Sequence, residues 1–183
     1  IGLTGCGHLG KIHCRLINEI AKINSNVTFK GVYDSDPAVT EAISKEYSIK
    51  AYRSLEEILA EVDSLVIVTP TSTHFEIAQK ALDKDINIFI EKPVTSSLKE
   101  AEELIKMAEG KKIKIQVGHV ERFNPALVAL EKFEMKPRFI ESHRLAQFNP
   151  RGTDVSVIQD LMIHDIDVIL HLAGSPVKKI DAN

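Results

Sequence analysis

Three side chains with acid–base chemistry stand at positions that set them apart from ordinary surface charges. Lys92 follows an apolar run and precedes Pro93, which restricts the backbone before it to extended geometry and fixes the direction of the lysine. Asp160 and His164 lie four residues apart in a largely apolar segment, a spacing that stacks them on one helix face. Histidine titrates near neutrality, and a lysine in a partly desolvated site has a tunable pKa. These residue types could transfer a proton to or from a hydroxyl group.

The segment around Asp160 leaves three interpretations open. Asp160, His164, Asp167 and His171 form one polar stripe, with Asp165 beside it, on a helix so apolar that we expect it to be largely buried. A structural polar network is one alternative, because buried polar groups need partners. A metal site, and with it a metal-dependent enzyme, is another; no cysteine–histidine cluster or HExxH pair supports it, and we predict no metal. Acid–base chemistry, with Asp160 orienting the ring of His164, is the third.

The beginning of the chain carries a glycine pattern typical of dinucleotide binding. The glycines have G-x-G-x-x-G spacing between a strand-like run and a helical one. Such glycines permit a tight turn, a close approach of backbone to a pyrophosphate, and close packing of helix on strand. The helix N-terminus adds N–H donors and a positive dipole end. The predicted cofactor contacts in this loop are Gly5, Gly7, His8, Leu9 and Gly10.

Asp34 ends the second strand-like run and indicates which dinucleotide binds. A carboxylate there can accept hydrogen bonds from both ribose hydroxyls of an adenosine, and it would repel a 2′-phosphate. No arginine follows it, so we predict NAD, with NADP as the alternative. Asp34 could instead only cap the next turn, but Asp36 already occupies the capping position.

Further cofactor contacts are predicted where the fourth and fifth strand-like runs end. The carboxyl ends of strands line the ligand crevice of an open parallel sheet. The predicted contacts on this side are Thr69, Pro70, Thr71, His74, Glu91 and Lys92. Thr73 is expected to cap a helix, and Cys6 in the glycine loop to be a small filler rather than a nucleophile.

Residues 1–118 are predicted to form a doubly wound α/β domain. Short apolar strands alternate with helical patterns, which indicates a parallel sheet covered on both faces. The strand-like runs are residues 1–4, 29–33, 51–52, 65–69, 87–90 and 113–117. The helix start signals are Asp36-Pro37 and three capping boxes, beginning at Ser54, Thr73 and Ser97.

After Gly118 the pattern changes to that of an α+β unit. The sequence predicts helices over 123–135 and 154–173 and extended segments over 138–145 and 177–182. We expect the N-terminus to be slightly clipped and the C-terminus to be incomplete, because both ends fall within strand-like runs.

Composition narrows the class of protein. The net charge of −3 gives no electrostatic indication of binding to nucleic acid or to an anionic membrane surface. Two cysteines without a CxxC pair favour a reducing, cytoplasmic setting. No apolar stretch reaches the length of a membrane span, so no membrane association is predicted.

Taken in order along the chain, these motifs resemble the Gfo/Idh/MocA oxidoreductase family. They are the glycine loop with His13 three residues beyond it, Asp34, the "EKP" of residues 91–93, "GHVERFNP" and the D-x-x-x-H of Asp160 and His164. The sequences of the motifs "GHVERFNP" and "DLMIHDIDVIL" are most similar to those of the nucleotide-sugar branch, which includes UDP-N-acetylglucosamine 3-dehydrogenase-like members.

The resemblance implies a Rossmann domain followed by an incomplete α+β substrate domain. The Rossmann domain spans residues 1–118, and residues 119–183 are the beginning of the second domain. In this family the open sheet of the second domain often mediates oligomerisation, so a homo-oligomer (dimer or tetramer) is expected. Lys92 matches the catalytic lysine, His164 the acid–base histidine and Asp160 the aspartate of the motif. Arg122 and Asn124 match positions near nicotinamide and substrate. Substrate contacts are therefore expected at Lys92, Arg122, Asn124, Asp160 and His164. The chain departs from the family in length, because most of the second sheet would lie beyond Asn183.

The predicted function is NAD-dependent hydride transfer between nicotinamide and a secondary alcohol of a sugar or nucleotide-sugar. The alternative is a Rossmann protein that senses NAD(H) without catalysis. The lysine of "EKP" and the Asp160–His164 pair favour the enzyme, since sensing requires neither.

Overall fold

The structure is a computed structural model that describes residues 1–145 and 155–182. Its strands are β1 (Gly2–Thr4), β2 (Gly31–Tyr33), β3 (Lys50–Ala51), β4 (Ser64–Ile67), β5 (Asn87–Ile90) and β6 (Ile115–Val117). Its α-helices are α1 (His8–Ile23), α2 (Pro37–Tyr47), α3 (Leu55–Leu59), α4 (His74–Leu82), α5 (Leu98–Ala108), α6 (Pro125–Leu130) and α7 (Ile163–Ala173). Short 3₁₀ turns cover Thr71–Thr73 and Val120–Phe123, and a π-helical turn covers Ile158–Met162.

The six strands form one parallel sheet in the order β3-β2-β1-β4-β5-β6. The chain builds outward from β1 to one edge, then returns to β4 and builds to the other edge. This is the doubly wound Rossmann arrangement that the sequence predicts, and its switch point lies between β1 and β4. The glycine loop after β1 and the turn after β4 therefore lie at the crevice where such sheets bind ligands.

The core consists of two clusters that use alternate residues of the same strands. Leu65 and Ile67 of β4 belong to one cluster, whereas Val66 between them belongs to the other. Successive strand side chains point to opposite faces of a sheet, so both faces are covered. This is why the strands of a parallel sheet read as continuous apolar runs.

Three of the four helix starts are capped by the residues that the sequence indicates. Asp36 accepts from Ala38 N before α2, and Ser97 forms a full capping box with Glu100 before α5. Ser54 accepts from Glu57 N before α3, while the Glu57 carboxylate accepts from Arg53 N rather than from Ser54 N. These side chains satisfy backbone donors that have no partner within the helix.

The capping box predicted at Thr73 is wrong. The turn Thr71–Thr73 leads directly into α4, so Thr73 has helical backbone and no side-chain cap bond. Its hydroxyl instead lies 2.8 Å from the Pro70 carbonyl oxygen and 2.8 Å from Thr69 Oγ1. A preceding 3₁₀ turn removes the extended backbone that an N-cap residue needs.

Contacts divide the chain into two compact units, Ile1–Gly118 and His119–Asn183. In the second unit α6 ends at Leu130, short of the helix predicted over 123–135, and the predicted helix 154–173 begins with the π-helical turn at Ile158. Its first predicted residue, Asp154, lies outside the described residues. Residues 138–145 and 177–182 are not strands, because a ladder needs a partner strand and the described part of this unit contains none.

The prediction that the helix of residues 154–173 is largely buried is also wrong. Of the described residues in this segment only Asp167 is buried, while Val157, Ile158, Met162 and Leu170 are exposed. Apolar character all round favours burial only where another element covers each face. Among the described helices of both units, none is long and apolar enough to cross a membrane.

Candidate functional site

The glycine loop is shaped by close backbone packing. Gly5 has φ +88°, and a Cβ there would lie 2.5 Å from the Val68 carbonyl oxygen. A Cβ on Gly10 would collide with the carbonyl oxygen of Gly5, so both positions require glycine. Gly7 is exposed, and a Cβ there would meet no atom within 4 Å. Gly5 and Gly10 thus close the loop, and Gly7 leaves open space at its outer surface.

The first turn of α1 offers backbone donors at this open space. Gly7 is the N-cap of the 16-residue helix and makes no side-chain cap bond. His8 and Leu9 are exposed beside it. Helix N-termini bind phosphate through unpaired N–H groups and the positive end of the helix dipole. The loop therefore fits a pyrophosphate.

Asp34 follows β2 and holds the glycine loop in place. Its Oδ2 accepts from Cys6 N at 2.7 Å, and its Oδ1 accepts from Asp36 N at 2.9 Å. Each carboxylate oxygen has two acceptor positions, so one on each oxygen stays available to a hydroxyl ligand. The two predicted roles of Asp34, in a turn and toward a ribose, are thus compatible.

Thr69, Pro70 and Thr71 form the turn after β4. Pro70 is exposed, Thr69 is half-buried, and Thr71 is buried with 8% of its surface accessible. This turn leads into α4, whose first residue is His74. Pro70 and Thr69 are the residues of this turn that have surface to offer a ligand.

His74 connects the turn after β4 with the segment after β5. Its ring is 1% exposed, with Nδ1 3.0 Å from the Pro93 carbonyl oxygen and Nε2 2.9 Å from the Thr69 carbonyl oxygen. Both ring nitrogens therefore face the protein backbone. His74 thus links the segments that follow β4 and β5, and the direct cofactor contact predicted for it stays a prediction.

Glu91 and Lys92 follow β5, at the crevice edge of the sheet. Glu91 is 7% exposed, and its Oε1 lies 2.7 Å from Nε2 of His13 on α1. Its Oε2 accepts from Lys92 N at 3.3 Å. Lys92 is half-buried, and the peptide bond to Pro93 is cis. Glu91 thus makes its observed contacts within the protein, and the cofactor contact predicted for it stays a prediction.

In the second unit, Asp160 lies in the π-helical turn and His164 in the first turn of α7. Both are half-buried. The predicted polar stripe assumes that the whole segment has α-helical spacing. The π-helical turn is wider than an α-helical turn, so Asp160 is not in α-helical register with the later residues of the stripe. Asp160 and His164 therefore lie on adjoining turns of different helix type.

Arg122 and Asp167 form a two-pronged ion pair within this unit. Arg122 Nε and Nη2 donate to Asp167 at 2.7 and 2.6 Å, and His119 Nδ1 lies 3.9 Å from the same carboxylate. The guanidinium of Arg122 lowers the pKa of Asp167 below its usual range. Arg122 remains 47% exposed in its side chain. Asn124, the other predicted substrate contact, caps α6 by accepting from Ala126 N.

Asp165 pairs with a residue that the sequence did not single out. Arg144 Nε and Nη2 donate to its carboxylate at 2.7 and 3.1 Å, and Ser142 Oγ lies 3.0 Å away. The pKa of Asp165 is lowered, chiefly by the hydrogen bonds from Arg144. Asp165 and Asp167 thus support the polar-network interpretation for their part of the stripe. Over residues 1–145 and 155–182, no group of three or more His, Cys, Asp or Glu side chains could hold a metal ion.

Comparison with known proteins identifies the family. Residues 1–119 match the model of the Gfo/Idh/MocA oxidoreductase family, described as having an NAD-binding Rossmann fold. The chain belongs to the Gfo/Idh/MocA oxidoreductase family. The resemblance found in the sequence is confirmed, and so is the similarity to the UDP-N-acetylglucosamine 3-dehydrogenase-like branch.

Several relatives within the Gfo/Idh/MocA family are dehydrogenases by name. A UDP-N-acetylglucosamine 3-dehydrogenase of Acidithiobacillus ferrooxidans is 39% identical over 175 residues, covering 95% of this chain and 54% of the relative. An inositol 2-dehydrogenase of Rhizobium meliloti is 29% identical, covering 99% of this chain and 57% of the relative. A structure of the Acidithiobacillus enzyme superposes with a TM-score of 0.85 at 40% identity, over 94% of this chain and 55% of the other. The chain spans about half the length of these relatives.

The residues present fit the NAD-binding fold of the Gfo/Idh/MocA family. The open space at Gly7 and the uncapped first turn of α1 would hold the pyrophosphate. The acceptor positions left on Asp34 would hold the ribose hydroxyls. Sequence reasoning missed the contacts of Asp34 with Cys6 and of Glu91 with His13. His13 was noted for its spacing from the glycine loop, but that spacing does not indicate its partner.

Proposed function

We propose that this chain is part of an NAD-dependent oxidoreductase that moves a hydride between nicotinamide and a secondary alcohol of a sugar or nucleotide-sugar. The observation that carries the proposal is the position of Lys92. It follows β5 at the same edge of the parallel sheet as the glycine loop after β1 and Asp34 after β2, with β4 lying between β1 and β5. The dehydrogenase names of the relatives support the reaction class.

Binding of the cofactor is assigned to the first unit. NAD, when bound, supplies the nicotinamide carbon that accepts or gives up the hydride. The first turn of α1 binds the pyrophosphate, and Asp34 accepts from the ribose hydroxyls. We favour NAD over NADP because the Asp34 carboxylate repels a 2′-phosphate. Thr69 and Pro70 line the same crevice.

Proton transfer is assigned to Lys92, His164 and Asp160. In the direction of alcohol oxidation, His164 takes the hydroxyl proton as the carbon–hydrogen bond gives up a hydride, and a carbonyl group remains. Lys92 donates a hydrogen bond to the same oxygen, and Asp160 supports the pair. Lysine and histidine groups that act on one oxygen can share the proton, so either can serve as the base. Arg122 and Asn124 are proposed to contact the substrate.

The test is substitution in the full-length protein. Lys92→Ala and His164→Ala should each lower kcat by roughly a hundredfold or more, because each removes acid–base assistance. The dissociation constant of NAD should change little, since the binding groups of the first unit remain. Lys99→Ala and His143→Ala, at exposed positions on α5 and beside Glu141, are matched controls that should keep parental turnover. Parental turnover in both Lys92→Ala and His164→Ala would contradict the assignment.

The candidate substrates follow the names of the relatives. UDP-N-acetylglucosamine and inositols should be tried first, followed by a panel of sugars, with the absorbance of reduced nicotinamide as the readout. The alternative function is an NAD(H)-sensing protein, and it predicts tight NAD binding with no reduction by any member of the panel. Activity unchanged after exhaustive chelation would remove the metal-dependent alternative. Cytoplasmic location and homo-oligomeric assembly stay predictions.

A further inference from the structure

Glu91 and His13 form a pair that the proposed chemistry does not use. Glu91 lies beside Lys92 at the end of β5, and His13 lies on the second turn of α1, 78 residues away in the chain. Their contact, from Nε2 to Oε1, is 2.7 Å long. The side chains are only 16% and 9% exposed, so water competes little for this bond.

The Glu91 carboxylate is enclosed on several sides. Its second oxygen accepts from Lys92 N at 3.3 Å. A Cβ on Gly118 would lie 3.0 Å from Oε2 and 3.1 Å from Oε1, so the last residue of the first unit leaves just enough room for it. The His13 ring packs against Phe89 of β5 at a centroid distance of 5.5 Å. The pair is therefore held from both elements that it joins.

The pair joins α1, which carries the proposed cofactor-binding turn, to β5, which precedes Lys92. α1 begins with the turn proposed to bind pyrophosphate, and β5 delivers Lys92. Because a carboxylate only accepts hydrogen bonds, Nε2 of His13 is the donor. The Glu91 side chain therefore binds both the imidazole of His13 on α1 and the backbone N–H of Lys92. Buried bonds to a charged acceptor are short and strong, which suits a distance constraint between two elements.

We propose that Glu91 and His13 are positioning residues that set the distance between the phosphate-binding turn of α1 and the backbone of Lys92. This inference rests on the proposed function, because its consequence is the alignment of bound nicotinamide with the lysine. Losing the pair lets α1 and the end of β5 move independently. Cofactor affinity and kcat then fall together, because the phosphate-binding turn and Lys92 lose their fixed separation.

The experiment is a double-mutant cycle in the full-length protein with NADH binding as the first readout. His13→Leu removes the donor, and Glu91→Gln keeps the shape but leaves a single accepting oxygen. We expect His13→Leu to weaken NADH binding roughly tenfold, the loss typical of a bond to a charged group. Glu91→Gln should weaken NADH binding by a smaller factor. The factor by which the double variant weakens NADH binding should be smaller than the product of the two single factors, because the two residues share one contact.

His13→Gln tests rescue, because its amide keeps an N–H donor. It should recover most of the NADH affinity and kcat that His13→Leu loses. Glu61→Gln is the matched control: it alters a carboxylate paired with Lys50 and bonded to Tyr52, outside the residues assigned to the crevice. It should leave NADH affinity unchanged. Thermal unfolding is recorded for every variant, and Glu91→Gln serves alone if His13→Leu does not fold.

The outcomes separate the two proposals. NADH affinity and kcat at the parental level in His13→Leu and Glu91→Gln would overturn the positioning role, as would coupling seen only in the unfolding temperature. Parental protein that binds NADH but reduces or oxidises no substrate, with coupling still present in NADH affinity, would support the pair and contradict the enzymatic function. Parental protein that binds no NADH would overturn both.

Discussion

Asp34 shows how one side chain serves two purposes at the end of a strand. Its oxygens accept from the backbone of Cys6 and Asp36, which ties the glycine loop to the turn after β2. The same oxygens retain acceptor positions for a ribose. The same carboxylate therefore shapes the glycine loop and carries the negative charge on which the proposed preference for NAD depends.

Asp34→Asn should shift cofactor preference toward NADP. Removal of the charge removes the repulsion of a 2′-phosphate, and we expect the ratio of NADP to NAD affinity to rise roughly tenfold. Fluorescence titration with NADH and NADPH measures the ratio. Asp36→Asn is the matched control, because asparagine caps a helix as well as aspartate does. An unchanged ratio in Asp34→Asn would contradict a ribose contact.

The two cysteines are predicted to be inert in the folded protein. Burial raises the pKa of Cys6 to about 12 and that of Cys14 to about 11. Both thiols stay protonated at pH 8, so iodoacetamide should label neither until denaturant is added, as intact-mass spectrometry would record. Unfolded thiols ionise near pH 8.5, so their contribution to stability is complete below that pH and is lost as pH rises toward the folded values. Rapid labelling of native protein would contradict the burial.

At the scale of elements, ion pairs connect α7 to other segments of the second unit. Asp167 of α7 binds Arg122 in the turn before α6, and Asp165 of the same helix binds Arg144. Asp165, Asp167 and Arg144 are at most 33% exposed in their side chains, whereas Lys179 and Asp181, which also form a pair, are 78% and 76% exposed. Two-pronged arginine–carboxylate contacts fix direction as well as distance.

Asp167→Asn should destabilise this unit by about 1–2 kcal/mol, because hydrogen bonds between charged groups are lost while the half-exposed Arg122 can bind water instead. The folded pKa of Asp167 is lowered, so its stabilisation is complete above the unfolded value near 3.9 and is lost as pH falls through the folded value. Urea unfolding followed by circular dichroism, at neutral pH and at acidic pH, measures both effects. Asp181→Asn is the matched control and should cost almost nothing. Equal stability of the two variants would contradict the assignment.

At the scale of the whole molecule, the first unit carries its own core. Every residue of both buried clusters lies within 1–118, and the six strands belong to the same range. A fragment of residues 1–118 should therefore unfold cooperatively by heat or urea and bind NADH. Ile67→Ala, which removes a fully buried side chain from β4, should lower the stability of the fragment by about 2–5 kcal/mol. A broad, non-cooperative transition of the parent fragment would contradict independent folding.

The sequence determined the local features of this protein. The order of strands and helices follows from apolar periodicity, and the caps at Asp36 and Ser97 follow from residue types a few positions apart. The glycine loop could be predicted in the same way from the spacing of its three glycines, although the close approach of Val68 to Gly5 is a tertiary contact. Both the Rossmann fold and the position of Lys92 at a strand end were accessible because each depends on neighbouring residues.

The tertiary structure decided which distant groups meet. His13 and Glu91 are 78 residues apart, and Arg122 and Asp167 are 45 apart, so no spacing in the chain indicates either contact. The same holds for His74, whose local position predicts a ligand contact but whose ring is enclosed by Thr69 and Pro93. Helix 154–173 was expected to be buried from its composition alone, and its exposure depends on which elements pack against it. Local pattern specifies elements, whereas partners are chosen by the packing of those elements, which is a property of the folded chain.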